Sequence, residues 1–137
     1  MMNNAKSQKM KKYVILALRI IVAIILIQTL RYKLTAHPDS VYIFTKVGLE
    51  PYGRIGIGIV ELIAGILLLI NRTAWLGAGI TIGVIGGAVM MHLTNLGIEI
   101  NGDGGALFYT AVFVLISSMI ILFIERKSIP IIGEKLG

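Results

Sequence analysis

Four runs of about twenty residues with almost no charge, at about 13–34, 52–71, 74–94 and 104–124, take up most of this chain of 137 residues. A helix needs about 20 apolar residues to cross a hydrocarbon core of about 30 Å. Inside lipid the backbone must satisfy its own hydrogen bonds, which leaves helices and closed barrels as the spanning structures. The runs are continuous and not alternating, so the expected fold is an all-α membrane protein, a four-transmembrane-helix bundle. Composition agrees, with 56% hydrophobic residues, 15% charged and a mean hydropathy of +0.87. A soluble bundle of this size would carry a polar stripe on each helix, and these runs carry none.

The net charge of +6 is carried by lysines and arginines that flank the spans. A nucleic-acid surface would interleave them with aromatics on a soluble face, so no nucleic-acid partner is expected. Lys6, Lys9, Lys11, Lys12, Arg72, Arg126, Lys127 and Lys135 fall on the side that holds both termini, against Arg31, Lys33, Lys46 and Arg54 on the other. By the positive-inside rule both termini are expected in the cytoplasm and the chain in the inner (cytoplasmic) membrane as a multi-pass protein. The organisation is then a basic cytoplasmic tail over residues 1–12, a membrane domain over 13–127 and a C-terminal tail over 128–137. No small-residue cleavage site follows the first apolar run, so it is read as a retained helix and not a signal peptide.

The turn "NRT" between the second and third runs enforces an antiparallel hairpin. The one long connection, residues 35–51, lies on the outer side and holds "VYIF" between Pro38 and Pro51. That segment is too short to span, and is expected to lie on the membrane surface or fold over the bundle.

No cysteine is present, which removes thiol relays, thioether-linked haem and thiolate metal sites from the chemistry of this chain. His37 and His92 have no zinc-type spacing, so no metal is expected. The chain holds no cofactor chemistry of its own, and any redox role would use a bound organic cofactor or a partner protein.

The polar residues inside the spans are the candidates for function. In "GIGIVELIAGILLLI", residues 56–70, Glu61 sits near the midplane. A charged residue there costs about 3 kcal/mol even on lenient insertion scales, so it must be protonated or paired. By helical rise Arg19 lies within about 6 Å of the same depth, and an Arg19–Glu61 ion pair is expected. It serves either to hold the bundle's register or to move a proton. Near the outer surface Gln28, Arg31, Arg54, His92, Asp103 and Tyr109 could line a pocket open to the outside. Singly, each could instead be an interfacial anchor, and Asp103 an N-cap of the last helix.

Glycines set the expected packing. Gly58 and Gly65 flank Glu61 at i−3 and i+4, and Gly79, Gly83 and Gly87 recur every four residues in the third span. Such small-residue ridges bring helix backbones together, here within the monomer or across a homo-oligomer interface.

"LALRI" with Arg19, "YKL" with Lys33, the pattern G-x-x-E-L-x-x-G-x-L-L-L at 58–69 followed by Arg72, and "NGDGGALFYTAVF" opening the fourth span together resemble the DoxX family of small four-helix membrane proteins. The resemblance covers roughly residues 13–127. It implies that Arg19, Lys33 and Glu61 occupy the family's polar positions, and Lys33 thereby joins the outer polar group. It further implies a quinone-interacting or accessory membrane subunit of an envelope redox complex, with quinone as the cofactor and a redox partner protein beside it. If the protein is an enzyme, it is then a membrane oxidoreductase subunit that acts with that partner. The alternative is a non-enzymatic module that binds a lipid-like ligand or holds a membrane assembly together.

Overall fold

The computed structural model describes residues 4–136, and these form helices and turns with no strand among them. Four helices are long and apolar enough to cross a membrane, as the composition of the four runs requires.

The first, α1 (Asn4–Leu34), has 31 residues and starts well before the expected boundary at residue 13. At 1.5 Å per residue it is about 46 Å long, more than a bilayer core, so the turns carrying Lys6, Lys9, Lys11 and Lys12 continue the helix beyond the apolar part. The expected basic tail is, over its described residues, the first turns of α1. The helix stops where Ala36 adopts a left-handed φ of 56°. His37 then accepts the Asp39 amide on Nδ1 at 3.2 Å, and Pro38, which has no amide to leave unpaired, opens α2 (Pro38–Lys46). This nine-residue helix is the "VYIF" segment, and it folds over the end of the bundle with Ser40 and Phe44 buried against its neighbours.

α3 (Tyr52–Leu69) and α4 (Ala74–Met91) form the expected hairpin, in which the Thr73 hydroxyl donates to the Leu67 carbonyl at 3.0 Å and ties off the end of α3. A wider π-helical turn, His92–Leu96, extends α4. Gly97, with φ 80°, then reverses the chain towards α5 (Ala106–Ile124).

Around the bundle α1 packs against α3 and α5, and α4 closes the ring against the same two helices. Val22, Ala23 and Leu26 of α1 meet Ala64 and Leu68 of α3, Ala78 of α4, and Val114 and Ile121 of α5 in one buried cluster. Large apolar residues such as Ile24, Ile59, Ile63, Phe113 and Ile116 face outward, where lipid meets them. Lipid is as apolar as the core, so the helices are held by close fit and by hydrogen bonds, not by apolar transfer.

Within the chain the close fit falls at Gly77, outside the glycine ridge. A Cβ added at Gly77 would lie 2.8 Å from both the Ala64 carbonyl oxygen and the Leu68 amide nitrogen, so here the backbones of α3 and α4 touch. A Cβ at Gly79, Gly83 or Gly87 would meet nothing within 4 Å. Two residues along a helix is a rotation of about 200°, so Gly79 points away once Gly77 faces α3. Gly58 and Gly65 do pack as expected, Gly58 under Leu30 and Lys33 of α1 and Gly65 against Ile27 and the Ala23 carbonyl.

Candidate functional site

The α1–α3 contacts define an antiparallel register from which the placement of the polar residues follows. Arg19 lies level with Leu68 and Asn71, Ala23 and Ile27 with Gly65, and Lys33 with Arg54 and Gly58. Glu61 therefore faces the level of Thr29, about ten residues or 15 Å along α1 from Arg19.

The expected Arg19–Glu61 pair does not form. Near-equal depth for the two residues requires Tyr13 level with Asn71, whereas Asn71 sits beside Arg19, a turn and a half further along α1. Arg19, 4% exposed, instead donates from Nε to the Leu68 carbonyl at 2.7 Å and from Nη1 to Asn71 Oδ1 at 3.1 Å. Nη1 also lies 3.9 Å from Glu125 Oε1. The guanidinium thus binds the C-terminal end of α3, where unpaired carbonyls and the helix dipole favour a cation, and links it to the end of α5. Arg54 does the same at the opposite end: Nη1 donates to the Lys33 carbonyl near the end of α1, and Nε donates to both carboxylate oxygens of Glu50, at 2.8 and 3.0 Å. Both arginines act as helix clamps.

Glu61, 3% exposed, is partnered by Lys33, whose Nζ reaches back down α1 to 3.1 Å from Oε2. An ionised carboxylate has about four lone-pair sites, so a single ammonium partner leaves Glu61 with acceptor capacity to spare. This pair borders a cavity of about 620 Å³ within the half of the bundle remote from the termini. Ile25, Leu26, Ile57, Val84, Ile85 and Val114 give it apolar walls, and α2 covers it with Ile43 and Phe44. Size and lining are those of a small-molecule site, largely apolar with a few convergent polar groups. Gly83 and Gly87 also line it, and their missing side chains leave room there.

Of the other outer residues, His92 and Asp103 reach the cavity. His92 is held by a contact of 2.9 Å between Nδ1 and the Gly97 carbonyl and by the edge of Phe108, at 5.6 Å between ring centres. A carbonyl can only accept, so Nδ1 carries the proton and Nε2 is the lone-pair nitrogen in the neutral ring. Asp103 accepts the amides of Ile100 and Gly105 on Oδ1 at 3.0 and 2.8 Å, and that of Leu107 on Oδ2 at 3.2 Å. It therefore serves the first turn of α5 as an N-cap would, although Gly105 occupies the cap position itself. These amides, that of Ile100 foremost, hold the Asp103 carboxyl below the usual carboxylate range. Gln28, Arg31 and Tyr109 do not join the pocket: all are exposed, Tyr109 by 61%, and Arg31 lies over the Tyr32 ring.

The lining residues that sequence reasoning passed over are Thr29, Tyr32, His37, Asp39, Ser40 and Thr110. Thr29 was within reach of the pattern, four residues before Lys33 on one helix face. His37, Asp39 and Ser40 enter only because α2 folds back. Tyr32 meets His37 edge-on at 4.7 Å, and Asn101 of the α4–α5 connection donates to Asp39 Oδ1 at 2.8 Å, fastening α2 across the mouth.

Together these features define a class: a small integral membrane protein with an apolar cavity headed by a buried glutamate paired with a half-buried lysine. The family model for DoxX matches residues 14–93, more than half of the chain, and the protein belongs to the DoxX family. No curated protein and no solved structure matches it.

Proposed function

We propose that this DoxX protein binds a quinone-type amphiphile in the cavity between its helices and serves as the membrane subunit of an envelope redox complex. The observation that carries the reading is the cavity itself, an apolar chamber whose polar pole is the Lys33–Glu61 pair. A ring with polar substituents would sit at that pole, and its tail would run between Ile25, Val84 and Val114. Lys33 Nζ supplies donors to a carbonyl, Glu61 can take or give a proton, and His92 Nε2 offers a second relay point at the mouth. Electrons would come from a redox partner protein. The charge bias of the loops supports a cytoplasmic-membrane orientation with the termini inside, which turns the cavity mouth to the outer face.

The second reading, a lipid-binding or accessory module without redox turnover, is favoured by the two arginine clamps, which bind carbonyls at helix ends away from the cavity. Extraction of the purified protein and mass spectrometry of the retained lipids separates these readings from an empty site. The expected result is an isoprenoid quinone held by the wild type and lost from Ala111→Phe, which puts a ring into the cavity from its α5 wall. A phospholipid or other non-quinone amphiphile lost in the same way establishes the second reading. Identical lipid profiles for the two proteins would refute ligand binding in the cavity and leave only the accessory role.

A further inference from the structure

Lys33 and Glu61 constrain the head group beyond its being polar. Glu61 lines the cavity, with Lys33 Nζ 3.1 Å from its Oε2. An ionised carboxylate only accepts and has about four lone-pair sites, so Lys33 offsets its charge without using them all. A group that completes the site on the Glu61 side donates. Lys33 carries three N–H groups and can in turn donate to an acceptor on the same ligand.

Charge narrows the choice further. An anionic head would be drawn to Lys33 but would face Glu61 across a low-dielectric wall, and a cationic head would meet the converse. The two remaining acids at the cavity are committed elsewhere, Asp103 to three amides and Asp39 to Asn101. The pair is neutral as a unit, so it suits a neutral group that both donates and accepts.

Resting on the proposed binding of an amphiphile in this cavity, we infer that the ligand's head group is a neutral hydroxyl on an apolar body, a phenol or alcohol that donates to Glu61 and accepts from Lys33. A head with acceptors alone, such as an ether or the oxidised form of a quinone, offers the Glu61 carboxylate no donor. The hydroxylated, reduced form of a quinone-type ring is therefore the form the site holds more tightly.

The test uses two probes that differ in one hydroxyl, 4-nonylphenol and its methyl ether 4-nonylanisole. Both are titrated against the full-length protein in detergent, with native mass spectrometry counting the bound molecules and Ala111→Phe giving the non-specific background. A hydrogen bond to a charged acceptor predicts that the phenol binds about 10- to 100-fold more tightly than the ether. In Glu61→Gln the amide donates as well as accepts, and the preference should fall to about threefold or less. Equal affinities, or tighter binding of the ether, would overturn the inference while leaving the cavity reading intact. So would a full phenol preference that persists in Glu61→Gln. If neither probe binds above background, the cavity reading falls with it. Should Glu61→Gln fail to fold, the comparison of the two probes on wild-type protein still decides.

Discussion

Replacing Gly77 by alanine adds one methyl group where the structure has no room for it. The new Cβ would stand 2.8 Å from the Ala64 oxygen and the Leu68 nitrogen and 3.0 Å from Leu68 Cγ, and two of those three atoms are backbone that cannot rotate away. Helices α3 and α4 must separate, and overpacking of this kind costs about 1–3 kcal/mol. The same change at Gly79 meets nothing within 4 Å. Both replace a helical glycine, so the gain in helix propensity of about 1 kcal/mol is common to the two and cancels in their difference. Gly77→Ala should then be less stable than Gly79→Ala by about 1–3 kcal/mol, with Gly79→Ala at or slightly above wild type. Trp75, the one tryptophan, stands two residues from Gly77 and reports the unfolding of α4 by fluorescence as the protein is titrated with SDS in mixed micelles. Equal stabilities, or a larger loss at Gly79, would refute the packing described above.

Arg19→Met should cost about 1–3 kcal/mol in the same titration, because the Leu68 carbonyl and Asn71 lose a donor inside the bundle, yet leave 4-nonylphenol binding unchanged. Loss of binding at unchanged stability would return Arg19 to the ligand site. Asp103 makes stability depend on pH: its folded pKa is lowered, so the unfolded state takes up protons first as pH falls. The contribution is complete above the unfolded value of about 3.9 and is lost as pH falls through the folded one. Thermal unfolding of the wild type should decline in that acid range, and Asp103→Asn should be less stable at neutral pH with a flatter acid limb. An unchanged limb would show that the amides of Ile100, Gly105 and Leu107 do not hold this carboxylate.

The spans were legible because an uninterrupted apolar run near twenty residues has few other uses, and the tight "NRT" turn fixed which helices are neighbours. The register was less so. A span's ends are read from charge, and the lysines of α1 do not mark its level relative to α3, since the helix runs on to Asn4. That offset of a turn and a half exchanged Lys33 for Arg19 as the partner of Glu61. Glycine periodicity told which helix carries small residues but not which face is used, because Gly77 falls outside the four-residue repeat of Gly79, Gly83 and Gly87. The cavity's cover was hidden for a different reason: α2 owes its place to a left-handed Ala36 and to the bond from Asn101 to Asp39, 62 residues away in sequence.

The central claim, that Lys33 and Glu61 form the polar pole of a ligand cavity, is tested most directly by the electron density of the protein crystallised from a lipidic phase with its co-purified lipids retained. The account predicts elongated density between Ile25, Val84 and Val114, ending within hydrogen-bond distance of Glu61 Oε2 and Lys33 Nζ. Side chains collapsed into that space, or Glu61 bound to Arg19, would contradict it.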